Sequence, residues 1–177
     1  MKIKRLLLCL MALTMMTLSS CGPNNEEYAD KVLGDYNIKI TPYLTVKYEG
    51  QALPMTIEEI NTTCSITSTN EDDGSVKLEI DGINGEISEI VMNGYCSGLG
   101  LKFEDCSYDG FIMTEDNGRM ECNINLKSST ASISNAKVLN WSSTVTGKCQ
   151  INYVGLDITC DVSGTISYYA TMILNNK

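Results

Sequence analysis

The chain has 177 residues, a formal net charge of −9 and no histidine. Without histidine, Ser-His-Asp and Cys-His nucleophilic mechanisms are excluded and the commonest transition-metal ligand is missing. Hydrolysis by two carboxylates stays open, but no motif singles out such a pair, so we expect no enzyme activity, no cofactor and no metal site. The acidic balance argues against nucleic acid as a partner, because nucleic-acid-binding surfaces carry clustered Lys and Arg.

The first twenty residues have the parts of an export signal. Three basic residues lie within the first five positions, and an apolar run follows from Leu6 to Leu18. About thirteen residues is the length of a signal-peptide core and is short for a membrane-spanning helix, which needs roughly 20. The run ends in Leu-Ser-Ser before Cys21, which resembles the bacterial lipobox. Residues 1–20 are therefore predicted to be a lipoprotein signal and Cys21 the lipidated residue, the alternative being an ordinary secretory signal with an incidental cysteine.

Residues 21–32 are predicted to be a lipid-anchored tether. The segment 22–27 reads Gly-Pro-Asn-Asn-Glu-Glu, which is polar and turn-prone. Because no Asp follows Cys21, we expect an outer-membrane location, with membrane contact through the acylated cysteine. The two acidic residues resemble the surface-export signals of Bacteroidetes lipoproteins, and the periplasmic face and the cell surface both remain open. A short helical turn is predicted at residues 26–33.

Residues 33–177 are predicted to form one domain of β-strands. Apolar residues recur at every second position, as in strands with one buried face. Pro42 interrupts the first run, as an edge or bend does. The alternating positions include Tyr36, Ile38, Ile40, Leu44, Val46, Tyr48, Val76, Leu78, Ile80, Leu99, Leu101, Phe103, Met120, Cys122, Ile124 and Leu126, with a weaker extension at Ala131 and Ile133.

Turn signals separate these runs. Asp73-Gly74 and Asn117-Gly118 are hairpin-turn dipeptides, and the acidic residues beside them are interpreted as turns because calcium-loop spacing is missing. Turn signals every 8–14 residues are typical of an antiparallel meander. The sequence therefore predicts an all-β fold, an eight-stranded calycin-like barrel with a β-sandwich as the alternative.

Six cysteines remain beyond the signal and the anchor. An even number in an exported chain predicts disulfides. A hairpin centred on residues 153–155 would place Cys149 opposite Cys160, within bridging distance. Cys96 and Cys106 flank a glycine-rich segment that a bridge could close, which leaves Cys64 and Cys122 as the third hypothetical pair.

Three short motifs carry a family resemblance. They are Gly-Asp-Tyr at 34–36 with Thr-Val at 45–46, Asp-Gly-Ser-Val-Lys-Leu-Glu-Ile at 73–80, and Val-Thr-Gly at 145–147 with Leu-Asp-Ile at 156–158. The domain resembles the calycin-like, lipocalin-like lipoproteins of Bacteroidetes, which implies an eight-stranded up-and-down barrel over residues 33–168. The chain departs from that pattern in its cysteine content and at residues 81–83. The resemblance supplies no functional residues.

Two functions from different classes follow from this fold. In the first, a non-enzymatic envelope lipoprotein binds a small apolar or amphipathic ligand inside the barrel. The predicted lining residues are Tyr36, Ile38, Leu78, Ile80, Leu101, Phe103, Ile124, Leu126 and Ile158. In the second, the core is filled and the outer face contacts a protein or glycan partner, with Tyr95, Tyr108, Trp141 and the Tyr168-Tyr169 pair as aromatic candidates. Strict alternation requires one residue of that pair to point outward.

Overall fold

The computed structural model describes residues 29–70, 74–83, 87–97, 100–114, 118–133, 137–153 and 155–174. The signal and Cys21 lie outside the described residues. The strands are β1 (Gly34–Tyr48), β2 (Gln51–Ala52), β3 (Ile60–Asn70), β4 (Ser75–Ile80), β5 (Ile90–Ser97), β6 (Gly100–Phe103), β7 (Cys106–Met113), β8 (Arg119–Ser128), β9 (Thr130–Ile133), β10 (Val138–Tyr153) and β11 (Leu156–Met172).

Eight of these strands form a closed antiparallel barrel. Neighbours follow the order β1, β3, β4, β5, β6, β9, β10 and β11, and β11 pairs with β1 to close the ring. β7 and β8 extend the sheet from β10, which pairs with β9 near its start and with β8 further along. The predicted all-β class and eight-stranded barrel are confirmed, and the closed ring replaces the sandwich alternative.

The alternation in the sequence corresponds to alternation between core and solvent. Buried and exposed residues alternate along all of β5, and in β8 they alternate from Arg119 to Lys127. Successive side chains of a strand point to opposite faces, so the apolar phase fills the barrel and the polar phase covers its outside.

β1 passes through Pro42 without a break, which corrects the predicted interruption. The Ile173 N–H donates to the Asp35 carbonyl at 2.7 Å, and alternation from that bond places Pro42 at a non-hydrogen-bonded position towards β11. On its other side, β3 pairs with β1 only as far as Ile40. The N–H that proline lacks would therefore face a local edge, where proline is tolerated.

A helical turn precedes β1. Residues 29 and 30 are helical, and the Val32 N–H donates to the Ala29 carbonyl at 2.9 Å. The Tyr36 hydroxyl donates to the Val32 carbonyl at 2.7 Å, so the turn is tied to the start of the barrel. Positions 26–28 of the predicted turn lie outside the described residues. Within the described ranges, no helix is both long and apolar enough to cross a membrane.

Gly164 lies at the junction where β1, β11 and β10 meet. It is opposite Leu44 on one side and Val145 on the other, with φ at +150°. A Cβ at this position would overlap the carbonyl oxygen of Tyr43 and lie 2.9 Å from the Leu44 Cα. Only glycine gives the backbone both this conformation and this close approach.

We expect Gly164→Ala to lower the free energy of unfolding by more than about 3 kcal/mol, because backbone overlap adds to a strained φ. Gly50→Ala is the matched control, since Gly50 also has a positive φ, +82°, but no atom lies within 4 Å of its added Cβ. That control should lose only about 1 kcal/mol. Urea unfolding followed by circular dichroism measures both, and equal losses would contradict the close approach at Gly164.

Candidate functional site

The barrel interior is filled by side chains. Of the nine residues predicted to line a ligand pocket, eight are buried and Ile158 is half-buried. Ile124 and Leu126 border an interior void of about 10 Å³, which is at the lower limit for one water molecule. Ligand binding inside the barrel stays a prediction, and it would require these side chains to move.

Three buried aromatic rings pack together in the core. Trp141 stacks on Tyr168 with 4.6 Å between ring centroids, and the Phe103 ring is tilted against Trp141 with its centroid 5.0 Å away. Trp141 and Tyr108 are only 5% and 4% exposed, so their suggested place in an outer aromatic patch is wrong. Both lie in the inward phase of their strands. Tyr108 donates its hydroxyl hydrogen to the Phe111 carbonyl at 2.7 Å.

The Tyr168-Tyr169 pair divides between the two faces as alternation predicts. Tyr168 is 2% exposed and Tyr169 is 48% exposed. Tyr95, the remaining aromatic candidate, is 41% exposed on β5. Tyr169 and Tyr95 are thus the candidates that reach solvent.

Three of the six cysteines lie side by side. Cys149 is directly opposite Cys160 on β11, as the predicted hairpin requires, and directly opposite Cys122 on β8. All three are 2% exposed. Burial, and then the neighbouring Cys160 thiol, raises the pKa of Cys149 to about 12.

The other three cysteines have no cysteine in register with them. Cys96 is opposite Leu101, and Cys106 is opposite Leu126, so the two are not cross-strand partners. Cys64 is on β3, which does not pair with the strand that carries Cys122. All six cysteines are free thiols in this structure, and the three proposed bridges stay predictions.

The outer surface carries two adjoining clefts that open to solvent and share Lys39 and Tyr169. Their volumes are about 340 and 510 Å³, which is within the usual range for ligand sites. The smaller cleft is lined by Lys39, Thr41, Ser129, Thr130, Asn140, Trp141, Ser142, Ser167, Tyr168 and Tyr169. The larger is lined by Asn37, Ile38, Lys39, Asn61, Thr62, Thr63, Tyr169 and Thr171. We call these two clefts together the outer polar face.

The outer polar face is built from rows of residues across the barrel seam. Tyr169 is opposite Lys39 on one side and Asn140 on the other, and Lys39 is opposite Asn61. This row therefore crosses β3, β1, β11 and β10. The rows on either side are Thr63, Asn37 and Thr171, and Thr41, Ser167 and Ser142.

The outer polar face carries little net charge. Among the described residues that line it, Lys39 is the only charged one, and its ammonium lies 2.6 Å from the Glu59 carboxylate. The Thr41 hydroxyl donates to the same carboxylate at 3.5 Å. The hydrogen bond from Lys39 is the main cause that lowers the pKa of Glu59, so the Glu59 carboxylate carries a negative charge beside Lys39. The protein is acidic overall, whereas this face has little net charge and is rich in hydroxyl and amide groups, with the exposed Asp81 carboxylate at its edge accepting a hydrogen bond from the Thr63 hydroxyl.

Sequence reasoning named Tyr169 as a candidate for an outer binding face but did not identify the other residues of the outer polar face. Its residues belong to the polar phase of the strands, so the alternation identified them as solvent-facing. Their assembly depends on which strands are neighbours, and the β1–β11 pairing joins residues 39 and 169. The one available signal was the abundance of Thr, Ser and Asn in that polar phase.

Comparison with known proteins gives little further information. No protein-family model matches the chain, and no curated protein matches it. Among solved structures, it is similar to an auxiliary nutrient binding protein from Bacteroides thetaiotaomicron VPI-5482, with 17% identity and a TM-score of 0.27. The match covers 77% of this chain and 46% of that one, so the chain spans less than half of the other's length. A likeness this weak carries no argument about function.

The buried thiols predict how stability depends on pH. Burial raises the pKa of Cys64 and of Cys122 to about 12, from an ordinary value near 9. Above pH 9 the unfolded chain loses thiol protons that the folded chain keeps, so stability should fall as pH rises from about 9 to 12. Each such thiol contributes a slope of up to about 1.4 kcal/mol per pH unit.

Urea unfolding of the reduced protein at pH 7 and pH 10.5 tests this dependence. Cys64→Val removes one titrating thiol and should reduce the loss of stability between the two pH values. If Cys64→Val lost as much stability between pH 7 and pH 10.5 as the wild-type protein does, a raised pKa for Cys64 would be contradicted.

Proposed function

We propose that this protein is a non-enzymatic envelope lipoprotein that binds a neutral glycan on the outer polar face of its barrel. The observation that carries the proposal is the pair of adjoining, hydroxyl- and amide-lined clefts around the exposed ring of Tyr169, in which the lining charge of Lys39 is paired with Glu59.

The chemistry of the outer polar face matches that of a sugar. A pyranose ring presents a face of C–H groups, which packs on an exposed aromatic ring, and a rim of hydroxyls that both donate and accept hydrogen bonds. Tyr169 offers such a ring. Asn37, Asn61 and Asn140 offer an amide donor and acceptor each, and the Thr and Ser hydroxyls serve in either role.

The lack of an unpaired cationic side chain among the described residues that line the outer polar face favours an uncharged ligand. An anionic polymer would require several unpaired cationic side chains, whereas Lys39 is already paired with Glu59 at 2.6 Å. A protein partner usually requires an apolar centre in the interface. Among the described residues that line the face, Tyr169 is the only exposed aromatic side chain.

The outer polar face also has room that the interior lacks. Its clefts measure about 340 and 510 Å³, against about 10 Å³ for the void beside Ile124 and Leu126. A small apolar ligand in the barrel would have to displace packed side chains, whereas a glycan could bind outside without any change in the core.

Binding to a glycan array, followed by isothermal titration calorimetry with the best hit, tests the proposal. Tyr169→Ala should weaken binding by about 10-fold or more, the equivalent of about 1.4 kcal/mol, because it removes the stacking surface. Tyr95→Ala is the matched control, since the Tyr95 side chain is exposed to a similar extent, 41%, but lies outside both clefts. Equal glycan affinity in the two variants would overturn the proposed site around Tyr169. An apolar molecule that co-purifies with the protein, with no glycan bound, would overturn the proposal in favour of a ligand inside the barrel.

The proposed location depends on Cys21. Acylation of this residue would attach the domain to the outer membrane, on its periplasmic or external side, through a tether of polar residues. Two or three acyl chains anchor a protein stably where one would be marginal.

We expect Cys21→Ser to abolish incorporation of radiolabelled palmitate. The variant should also be missing from the outer-membrane fraction, measured after that fraction is solubilised in detergent. Cys9→Ser is the control, since Cys9 lies within the apolar run and should be removed with the signal. Palmitate incorporation that survives Cys21→Ser would show that the anchor lies elsewhere.

A further inference from the structure

Three thiols form a row across adjacent strands near one end of the barrel. The row is Cys122 on β8, Cys149 on β10 and Cys160 on β11, with Cys149 opposite both of the others. The three belong to the same buried face, so their side chains point the same way. Thiols in a row do not surround one point, as the ligands of a metal ion must. Accordingly, no group of three metal-ligating side chains that could hold an ion is found among the described residues.

The hydrogen-bond pattern shows that both neighbours of Cys149 are within bridging reach. The Met172 N–H donates to the Lys137 carbonyl at 3.1 Å, and alternation from that bond makes Cys149 and Cys160 a hydrogen-bonded pair. The Ser129 N–H donates to the Ser142 carbonyl at 2.8 Å, and the same alternation makes Cys122 and Cys149 a non-hydrogen-bonded pair. Such pairs have Cα atoms about 5.5 and 4.5 Å apart respectively. Disulfides span Cα separations of about 4.4–6.8 Å.

We propose that Cys149 is the shared central sulfur of a thiol–disulfide exchange site, bridged alternately to Cys122 and to Cys160. This inference does not depend on the proposed glycan binding. Three thiols can hold only one bridge, so the third cysteine always remains free beside it.

Each step of the exchange balances. An external low-molecular-weight disulfide oxidises two of the thiols as the chain folds, and it leaves as two thiols. With the Cys149–Cys160 bond formed, Cys122 gives up its thiol proton and its sulfur attacks the Cys149 sulfur, a new S–S bond forms, and the electron pair of the broken bond leaves on Cys160, which takes up that proton. Because burial raises the pKa of Cys122 to about 12, little of it is ionised at neutral pH and the exchange is slow. The register places Cys149 between attacker and leaving group, the order that displacement at sulfur requires.

The two bridges restrain different parts of the barrel. A Cys149–Cys160 bond closes the β10–β11 hairpin, whose strands are already adjacent in sequence. A Cys122–Cys149 bond instead ties β8 to β10 across the longer connection that includes β9. Exchange therefore moves the covalent restraint from one strand pair to the next without any net oxidation.

Peptide mapping of the full-length chain tests the proposal. The chain is refolded with a mixture of oxidised and reduced glutathione, and free thiols are trapped with N-ethylmaleimide. Cleavage after Lys and Arg leaves Cys149 and Cys160 on one peptide, 149–177, so a second protease that cuts before Asp157 is needed to separate them. Both linkages should be found, in a ratio between about 1:10 and 10:1.

Serine variants sharpen the result. Cys122→Ser should convert the whole population to Cys149–Cys160, Cys160→Ser should convert it to Cys122–Cys149, and Cys149→Ser should leave the row unbridged. Cys64→Ser is the control and should leave the wild-type ratio unchanged, because Cys64 is equally buried but lies outside the row. A single linkage in the wild-type chain at equilibrium, or a bond from Cys149 to Cys64, Cys96 or Cys106, would overturn the proposal, and this wild-type measurement stands even if a variant fails to fold.

Discussion

The pairing of β1 with β11 is the constraint on which the rest of the structure depends. It joins the first long strand to the last one, from Tyr36 and Met172 to Lys47 and Asp161. Most other neighbours in the sheet are joined by short connections and can pair locally. Without this closure, the meander would leave two long edges able to pair with other chains. Gly164 lets the backbones approach in the middle of the seam, where any side chain would meet the β1 backbone.

Closure also fixes the interior volume, and the interior volume decides where a ligand can bind. Eight strands enclose a space just wide enough for side chains or for one small ligand. Here Trp141, stacked on Tyr168 and tilted against Phe103, takes up part of that space with large buried rings. The β1–β11 pairing that closes the barrel around these rings also places Lys39 opposite Tyr169 on the outer surface. The filled core and the outer polar face are thus two results of one strand pairing.

The sequence predicts the strands and their inward faces well, because alternation is a local property of the chain. The opposition of Cys149 and Cys160 followed from the alternation and one turn. The second neighbour of Cys149 did not, because the pairing of β8 with β10 spans a connection that includes β9. The strand break expected at Pro42 is absent because the pairing of β3 with β1 stops at Ile40. On that side of β1, Pro42 therefore has no neighbour to which a backbone N–H would have to donate. Local pattern therefore predicts which way a residue points, whereas tertiary pairing decides what lies next to it.

The first and last strands begin and end at the same rim, since Tyr36 at the start of β1 is opposite Met172 at the end of β11. A chain held by Cys21 would enter the barrel at that rim, so the β10–β11 hairpin would be at the end furthest from the lipid. Residues 29–32 are already part of the folded domain, because Ala29 and Val32 are buried in its core, so eight residues from Cys21 to position 28 would remain to reach the lipid, at most about 30 Å. Tyr169 lies only three residues before Met172, so in an anchored chain the outer polar face would begin at the tethered rim, and the row of Cys122, Cys149 and Cys160 would lie towards the opposite end.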